Sequence, residues 1–298
     1  MANAREIQSR MKSIRDTMKI TNAMYMISST KLRKAKKELE DTEPYFFMLR
    51  SMMSRTLRHM PDLDNRYFVK EGEKSTREKR CYLVVTADKG LAGAYNHNVL
   101  KIAEEHFMRD TYRHLLVVGE LGRQYFAARK IPVDQHFLYT AQHPTIGRAR
   151  IIATKILEMY DSGEVDEVYM IFTSMKNGIQ TETNFERLLP LTRGRFNPAG
   201  LSANVYQEEF RFNPSPNEVI NSMVPSYLSG YIYGALVESY CSEHNARMTA
   251  MQAANDSAQE MIHDLSIEYN RARQAMITQE ITEVVSGARA QKMKKGVH

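Results

Sequence analysis

Two long stretches of the chain repeat their apolar positions with one period, and the segment between them follows another. In the first, Ile7, Met11, Ile14, Met18, Thr21, Tyr25, Ser28, Leu32, Ala35 and Leu39 step alternately by four and three residues. That is the a/d spacing of a heptad, which winds helices around each other left-handedly. In the last, Met248, Met251, Asn255, Ala258, Ile262, Leu265, Tyr269, Ala272 and Met276 keep the same step. Neither 1–43 nor 235–286 contains a proline or glycine, so nothing in either stretch stops a helix. The C-terminal helix is expected to start near Asn217, with a bend allowed at Pro225, and to reach about Ala290, a length of ~105 Å. The seams repeat nowhere else, so the two ends are expected to pair with each other and run antiparallel. Thr21, Ser28 and Ala35 make this a weaker zipper than a Leu/Ile seam. A shorter stripe, Ile20, Met24 and Ile27, lies beside the first seam and would face a different partner.

The middle reads as alternating strands and helices. Residues 81–86, 115–118 and 168–173 are short apolar runs of the buried-strand kind. Helical patterns lie between them, over 95–109, 120–129 and 145–161. Residues 180–190 and 204–212 alternate polar and apolar, as half-exposed antiparallel strands do. The expected fold is α/β plus a long helical coiled coil: the N- and C-terminal helices form an antiparallel coiled coil flanking a small Rossmann-like three-layer α/β domain. The expected division is 1–70 for the N-terminal long helix, 76–212 for the α/β domain, and 217–298 for the C-terminal helix and tail.

Charge adds a direction to this picture. Residues 1–40 hold ten Lys or Arg against four acids, which accounts for the whole formal charge of +6. A basic arm on a neutral body calls for an acidic partner: nucleic acid, anionic lipid or an acidic protein surface. The run 31–37 concentrates it. Nucleic-acid contact usually brings stacking aromatics or a known reader motif, and this arm offers only Tyr25, which leaves an acidic protein surface as the better reading beside a solvated helix face. No apolar run approaches the ~18 residues of a membrane span. The first ten residues lack the apolar core of a secretory signal, so a cytoplasmic location is the default.

Candidate chemistry is sparse. Cys81 and Cys241 show no CxxC or Cys/His clustering, which fits two reduced, packed thiols. The nine histidines have no metal-ligand spacing. The segment TADKGLAGAYNHN at 86–98 follows a strand and opens a helix, as phosphate loops do. It matches neither GxGxxG nor GxxxxGK[ST], however, and its glycines read better as a tight strand-to-helix turn. Gly119 and Gly122 are weaker candidates still. No nucleophile elbow is present. An enzyme acting alone has nothing specific to stand on.

The C-terminal stretch carries a resemblance. Residues 277–290, ITQEITEVVSGARA, fill every specified position of the signature of the γ subunit of F-type ATP synthases: Ile-Thr, Glu280, an acid at Glu283, then Gly287-Ala288. By ordinary residue frequencies a chance match is on the order of one in ten million per start position. REIQSRMKSIRDTMKITNAMYMISSTKLRKAKK resembles the N-terminal helix of that family, TADKGLAGAYN its strand-to-helix turn, and SEHNARMTAMQAANDSA and YNRARQAMITQE its C-terminal helix. Ala92 and Ala94 stand where the family has Cys and Gly, which is tolerable if neither backbone is left-handed.

The resemblance implies a non-catalytic rotor shaft that couples proton or sodium flow through a membrane sector to three catalytic sites. The implied partners are the α and β subunits, the ε subunit and the membrane c-ring, with no nucleic acid, and the chain would bind no cofactor or metal itself. The implied location is peripheral, on the cytoplasmic face of a bacterial cell membrane. It further implies coupling contacts at Arg33, Lys34, Lys36 and Lys37 toward acidic lever loops, and at Arg247, Arg273, Gln274, Thr278 and Glu280 toward catch loops, with Met24 near the same region. The rival reading, from the basic arm alone, is a coiled-coil adaptor or nucleic-acid binder.

Overall fold

The computed structural model describes residues 4–60, 64–69, 79–110, 112–176, 180–196 and 211–295, with the backbone alone for 292–295. The elements in chain order are α1 (Ala4–Arg58), β1 (Lys79–Val85), α2 (Tyr95–Phe107), β2 (Tyr112–Val118), α3 (Glu120–Ala128), α4 (Ile146–Asp161), β3 (Glu167–Met175), β4 (Thr181–Leu189) and α5 (Pro216–Lys295). The chain divides into two compact units, and α1 and α5 contribute to both. One unit joins Met1–Ile27 with Met248–His298; the other is Ser28–Arg247.

In the first unit the heptad seam is the buried line. Ala4, Ile7 and Met11 are buried, and Ile14, Met18, Thr21 and Tyr25 are half-covered. Facing them on α5, Met251 is buried, and Met248, Asn255, Ala258, Ile262, Leu265, Tyr269 and Ala272 are half-covered. The Thr21 hydroxyl donates to Asn255 Oδ1, so two polar seam residues satisfy each other across the interface. Among the described residues, covered positions run from Ala4 on α1 and end at Ala272 on α5, which is the pattern of an antiparallel pair. Met276, the last residue of the expected seam, is 45% exposed. Ile20 and Ile27 of the second stripe are exposed, whereas Met24 between them is half-covered.

In the second unit the two helices pair antiparallel as well. Thr42 hydrogen-bonds Tyr233, and the Phe46 ring packs on Tyr233 and against Gly230. A Cβ at Gly230 would come within 2.1 Å of the Phe46 ring, so glycine lets this aromatic approach the α5 backbone closely. Both helices continue through prolines, Pro44 in α1 and Pro225 in α5. Each proline removes one helical hydrogen bond, and tertiary packing around Met53, Tyr227 and Leu228, all buried, outweighs that loss.

The sheet of this unit has strand order β2-β1-β3-β4. The first three strands are parallel and β4 is antiparallel to β3. Residues 81–85 are all buried because the sheet is covered on both faces. One face carries Tyr82, Val84, Leu115 and Val117 packed on Val99 and Phe107 of α2 and Phe126 of α3. Moving from β1 to β2 and then back past β1 to β3 with right-handed crossovers puts α2 and α4 on opposite faces. On β3, the Thr173 amide donates to Ser239 Oγ at 3.1 Å, and the Ser239 and Ser242 hydroxyls donate to its carbonyl, each at 3.3 Å. These bonds fasten α5 to the sheet. The expected strand at 180–190 is β4; the one at 204–212 lies largely outside the described residues.

Candidate coupling surfaces

The turn after β1 is built by two clamps. Asp88 Oδ1 accepts the Glu120 amide at the start of α3 at 3.0 Å, and its other oxygen accepts the Ala141 and Gln142 amides and the Thr140 hydroxyl. A carboxylate therefore occupies the helix N-terminus where a phosphate would otherwise be drawn. Gly119 and Gly122 serve the same closure. A Cβ on Gly119 would come within 2.3 Å of the Thr86 carbonyl oxygen, and one on Gly122 within 2.6 Å of Thr86 Oγ1. The Gly122 amide uses that space to donate to Thr86 Oγ1 at 3.0 Å. These glycines bring α3 onto the end of β1. Leu91 and Gly93 hold positive φ of 63° and 53°, while Ala94 is right-handed. The alanines at 92 and 94 thus occupy positions that need no glycine.

The second clamp is Arg247. Its guanidinium donates to the carbonyls of Gly90 and Lys89 at 3.0 and 3.2 Å, pairs with Glu243 at 2.7 Å, and meets His244 Nδ1 at 3.2 Å. The ion pair is almost fully buried. Burial raises the Glu243 carboxyl above its usual range, although Arg247 opposes the rise. Burial, with the Arg247 and Lys31 charges beside it, pushes His244 down to about 3. Close by, Ala87, Ala92 and Tyr95 form a small core against Ala246. The turn and α5 are fixed to each other.

The residues expected to make coupling contacts fall into four places. Arg33, Lys34, Lys36 and Lys37 are all exposed on α1 of the second unit. Among the described residues Arg33, Lys36 and Lys37 make no ion pair, and Lys34 reaches Glu38 only at 3.8 Å across a solvated surface, where such a pair contributes little. Arg273, Gln274, Thr278 and Glu280 lie on α5 of the first unit, inside a run, 273–291, in which every residue is exposed. The Thr278 hydroxyl donates back to the Gln274 carbonyl at 2.9 Å. On the same run Ile281 is 59% and Val284 73% exposed. Arg247 stands apart from this set, 26 residues up the helix, and its donors are engaged within the chain. Met24 is half-covered beside the seam.

Sequence reasoning passed over Asp88, Glu243 and His244. Asp88 sat in the motif turn, and Glu243 stands four residues before Arg247, the spacing of a helical ion pair. That spacing was the available signal.

Among the described residues no cluster of His, Cys, Asp or Glu is arranged to hold a metal ion, and no helix is long and apolar enough to cross a membrane. The ATP synthase family profile matches residues 3–291. The ATP synthase gamma chain of Acetivibrio thermocellus is 44% identical over 297 residues, covering 98% of this chain and 100% of that one. The gamma chain of Acetobacterium woodii, described as sodium ion specific, is 34% identical over 97% of this chain and 98% of its own length. In structure, a chain of the Euglena gracilis mitochondrial ATP synthase OSCP/F1/c-ring assembly superposes with a TM-score of 0.65 at 14% identity, over 99% of this chain and 96% of that one. The chain belongs to the ATP synthase gamma-chain family, the non-catalytic rotor component of a membrane-associated complex.

Proposed function

We propose that this chain acts as the shaft that couples ion flow through a membrane sector to conformational change at three catalytic β sites, with α and β around it and ε and the c-ring as further partners. It would work at the cytoplasmic face of a bacterial membrane, peripherally, held there by the complex. The observation that carries the reading is the run 273–291 of α5. It is a single helix exposed on all sides, yet it presents Ile277, Ile281, Val284 and Val285 beside Arg273, Gln274, Thr278 and Glu280. A solvated helix gains nothing from such apolar residues. One that turns inside a close-fitting protein ring needs both smooth apolar surface and a few hydrogen-bonding groups.

Three identical catalytic sites take up different states only if something asymmetric contacts them, and a single helical pair supplies unequal contacts to each. The basic patch offers Arg33, Lys36 and Lys37, which make no ion pair among the described residues, and the weakly paired Lys34 to acidic loops on β. The test is co-purification of the tagged full chain from its own cells. A shaft comes out with α and β in a one-to-three-to-three ratio. Recovery of the chain without them would overturn the reading.

A further inference from the structure

Along the outer side of α4 lie two clefts, of about 270 and 410 Å³, which share Arg150 and Thr154 and so run together as one groove. One end is walled by Tyr45 and Phe46 of α1 and by Pro225 and Ser229 of α5. The other is walled by the segment 136–139, through His136, Phe137 and Tyr139. Ala153 and Leu157 form a buried apolar floor at the first end, and Ile151, 56% exposed, stands in the second. Tyr45 is 60% exposed at the rim.

The groove's charge is lopsided. Arg150 and Lys155 line it, and neither makes an ion pair or hydrogen bond among the described residues; Glu158 is the one acid in the lining. The neighbouring Arg148 differs, because it donates to the carbonyls of Thr140 and Gln142. Long cationic side chains left unpaired over an apolar surface mark a place where both charge and area await a partner.

We infer that this groove receives an amphipathic acidic segment of another protein, whose apolar side chains enter the cleft while its carboxylates meet Arg150 and Lys155. The inference rests on the reading of the chain as one subunit of an assembly, which supplies a resident protein partner. A polyphosphate chain would satisfy the cations and leave Ile151, Leu157 and Tyr45 uncovered. A bilayer surface is too flat to enter a concave groove. Carboxylates carried on an apolar segment satisfy both features.

The experiment places a photo-reactive amino acid at Thr154, which is exposed between the two cations, in the full chain in its own cells. Irradiation is followed by mass spectrometry of the linked peptide. The expected product is a peptide with two or more acids among apolar residues. The Arg150→Glu, Lys155→Glu pair should lower its yield about tenfold, at an unchanged circular-dichroism spectrum. Should that pair disturb folding, Arg150→Gln with Lys155→Gln replaces it. Lysines put in place of the captured acids should restore the yield against the Glu variants. No cross-link, a linked lipid, a linked second copy, a basic peptide or an unchanged yield would overturn the inference. One-to-three-to-three assembly without a Thr154 cross-link sinks the groove alone. An acidic cross-link in a chain that does not travel with α and β sinks the shaft alone.

Discussion

The Arg247 guanidinium donates to the Gly90 carbonyl at 3.0 Å while it pairs with Glu243 at 2.7 Å, so one side chain of α5 holds the turn after β1 and neutralises a buried acid. Replacing Arg247 by Met strands that carboxylate in the interior. The expected cost is about 3 kcal/mol, read as a shift of the urea midpoint, with faster amide exchange at 88–92. Changing Glu243 to Gln in the same chain should recover much of the stability but not the protection of the turn. Equal losses in the single and double variants would show that the pair contributes nothing.

Gly119 and Gly90 offer a matched comparison. A methyl at Gly119 meets the Thr86 carbonyl oxygen at 2.3 Å and sits on a backbone with φ of 96°, whereas a methyl at Gly90 meets nothing within 4 Å. Gly119→Ala is expected to destabilise by roughly 2 kcal/mol or more, and Gly90→Ala to stay within about 0.5 kcal/mol. Thermal midpoints of the two variants decide it.

Acid sensitivity should trace to His244. The unfolded imidazole takes up its proton near pH 6.5, and the folded one only at about 3. Between these values the unfolded state binds the extra proton, so His244's contribution is complete above 6.5 and is lost as pH falls toward 3. Glu243 slopes the other way: its raised carboxyl holds a proton in the native state above pH 4.5, and that contribution is lost as pH rises. Comparing His244→Gln with the parent isolates the imidazole. The variant should lose about 2 kcal/mol less between pH 7 and pH 5. Parallel pH profiles would refute the assignment.

Arg273→Ala with Gln274→Ala tests the exposed run. Both side chains are in solvent and alanine favours helix, so the thermal midpoint should hold. Coupled ATP synthesis should drop by roughly tenfold or more if each residue makes a hydrogen bond to the ring. Unchanged turnover would remove both from the coupling surface.

Neutralising Arg33, Lys34, Lys36 and Lys37 to Gln should likewise leave stability within about 0.5 kcal/mol and reduce assembly with β or torque transmission. A loss confined to stability would return the patch to an ordinary solvated helix face.

The sequence reading succeeded where a repeating pattern meets a simple geometry. In the first unit the heptad seam picked out most of the covered residues, from Ile7 to Tyr25 and from Met248 to Ala272, because a helix pair buries chiefly one line of side chains; Ala4 and Met24 are covered outside it. The apolar runs at 81–86 and 168–173 were legible because a sheet covered on both faces needs no alternation. For Arg247 the resemblance implies a catch-loop contact, and one letter in a helix does not reveal that the main chain of a turn 157 residues earlier bonds to it. The Asp88 clamp was hidden for the same reason: its partners are backbone amides, and amides have no sequence signature. The continuation of α1 through Pro44 depends on α5, which the local sequence does not contain.

The bond from Thr21 to Asn255 joins residues 234 positions apart. During synthesis at ~5–20 residues per second, the first helix emerges with its apolar stripe and waits roughly 10 to 50 s for its mate. Local folding cannot shorten that interval, because the loop to be closed is nearly the whole chain. The small polar residues along that stripe, which weaken the finished pair, also make the waiting strand of helix less adhesive. The nascent chain is therefore expected to depend on chaperones, or on early folding of the central sheet, more than its final stability would suggest.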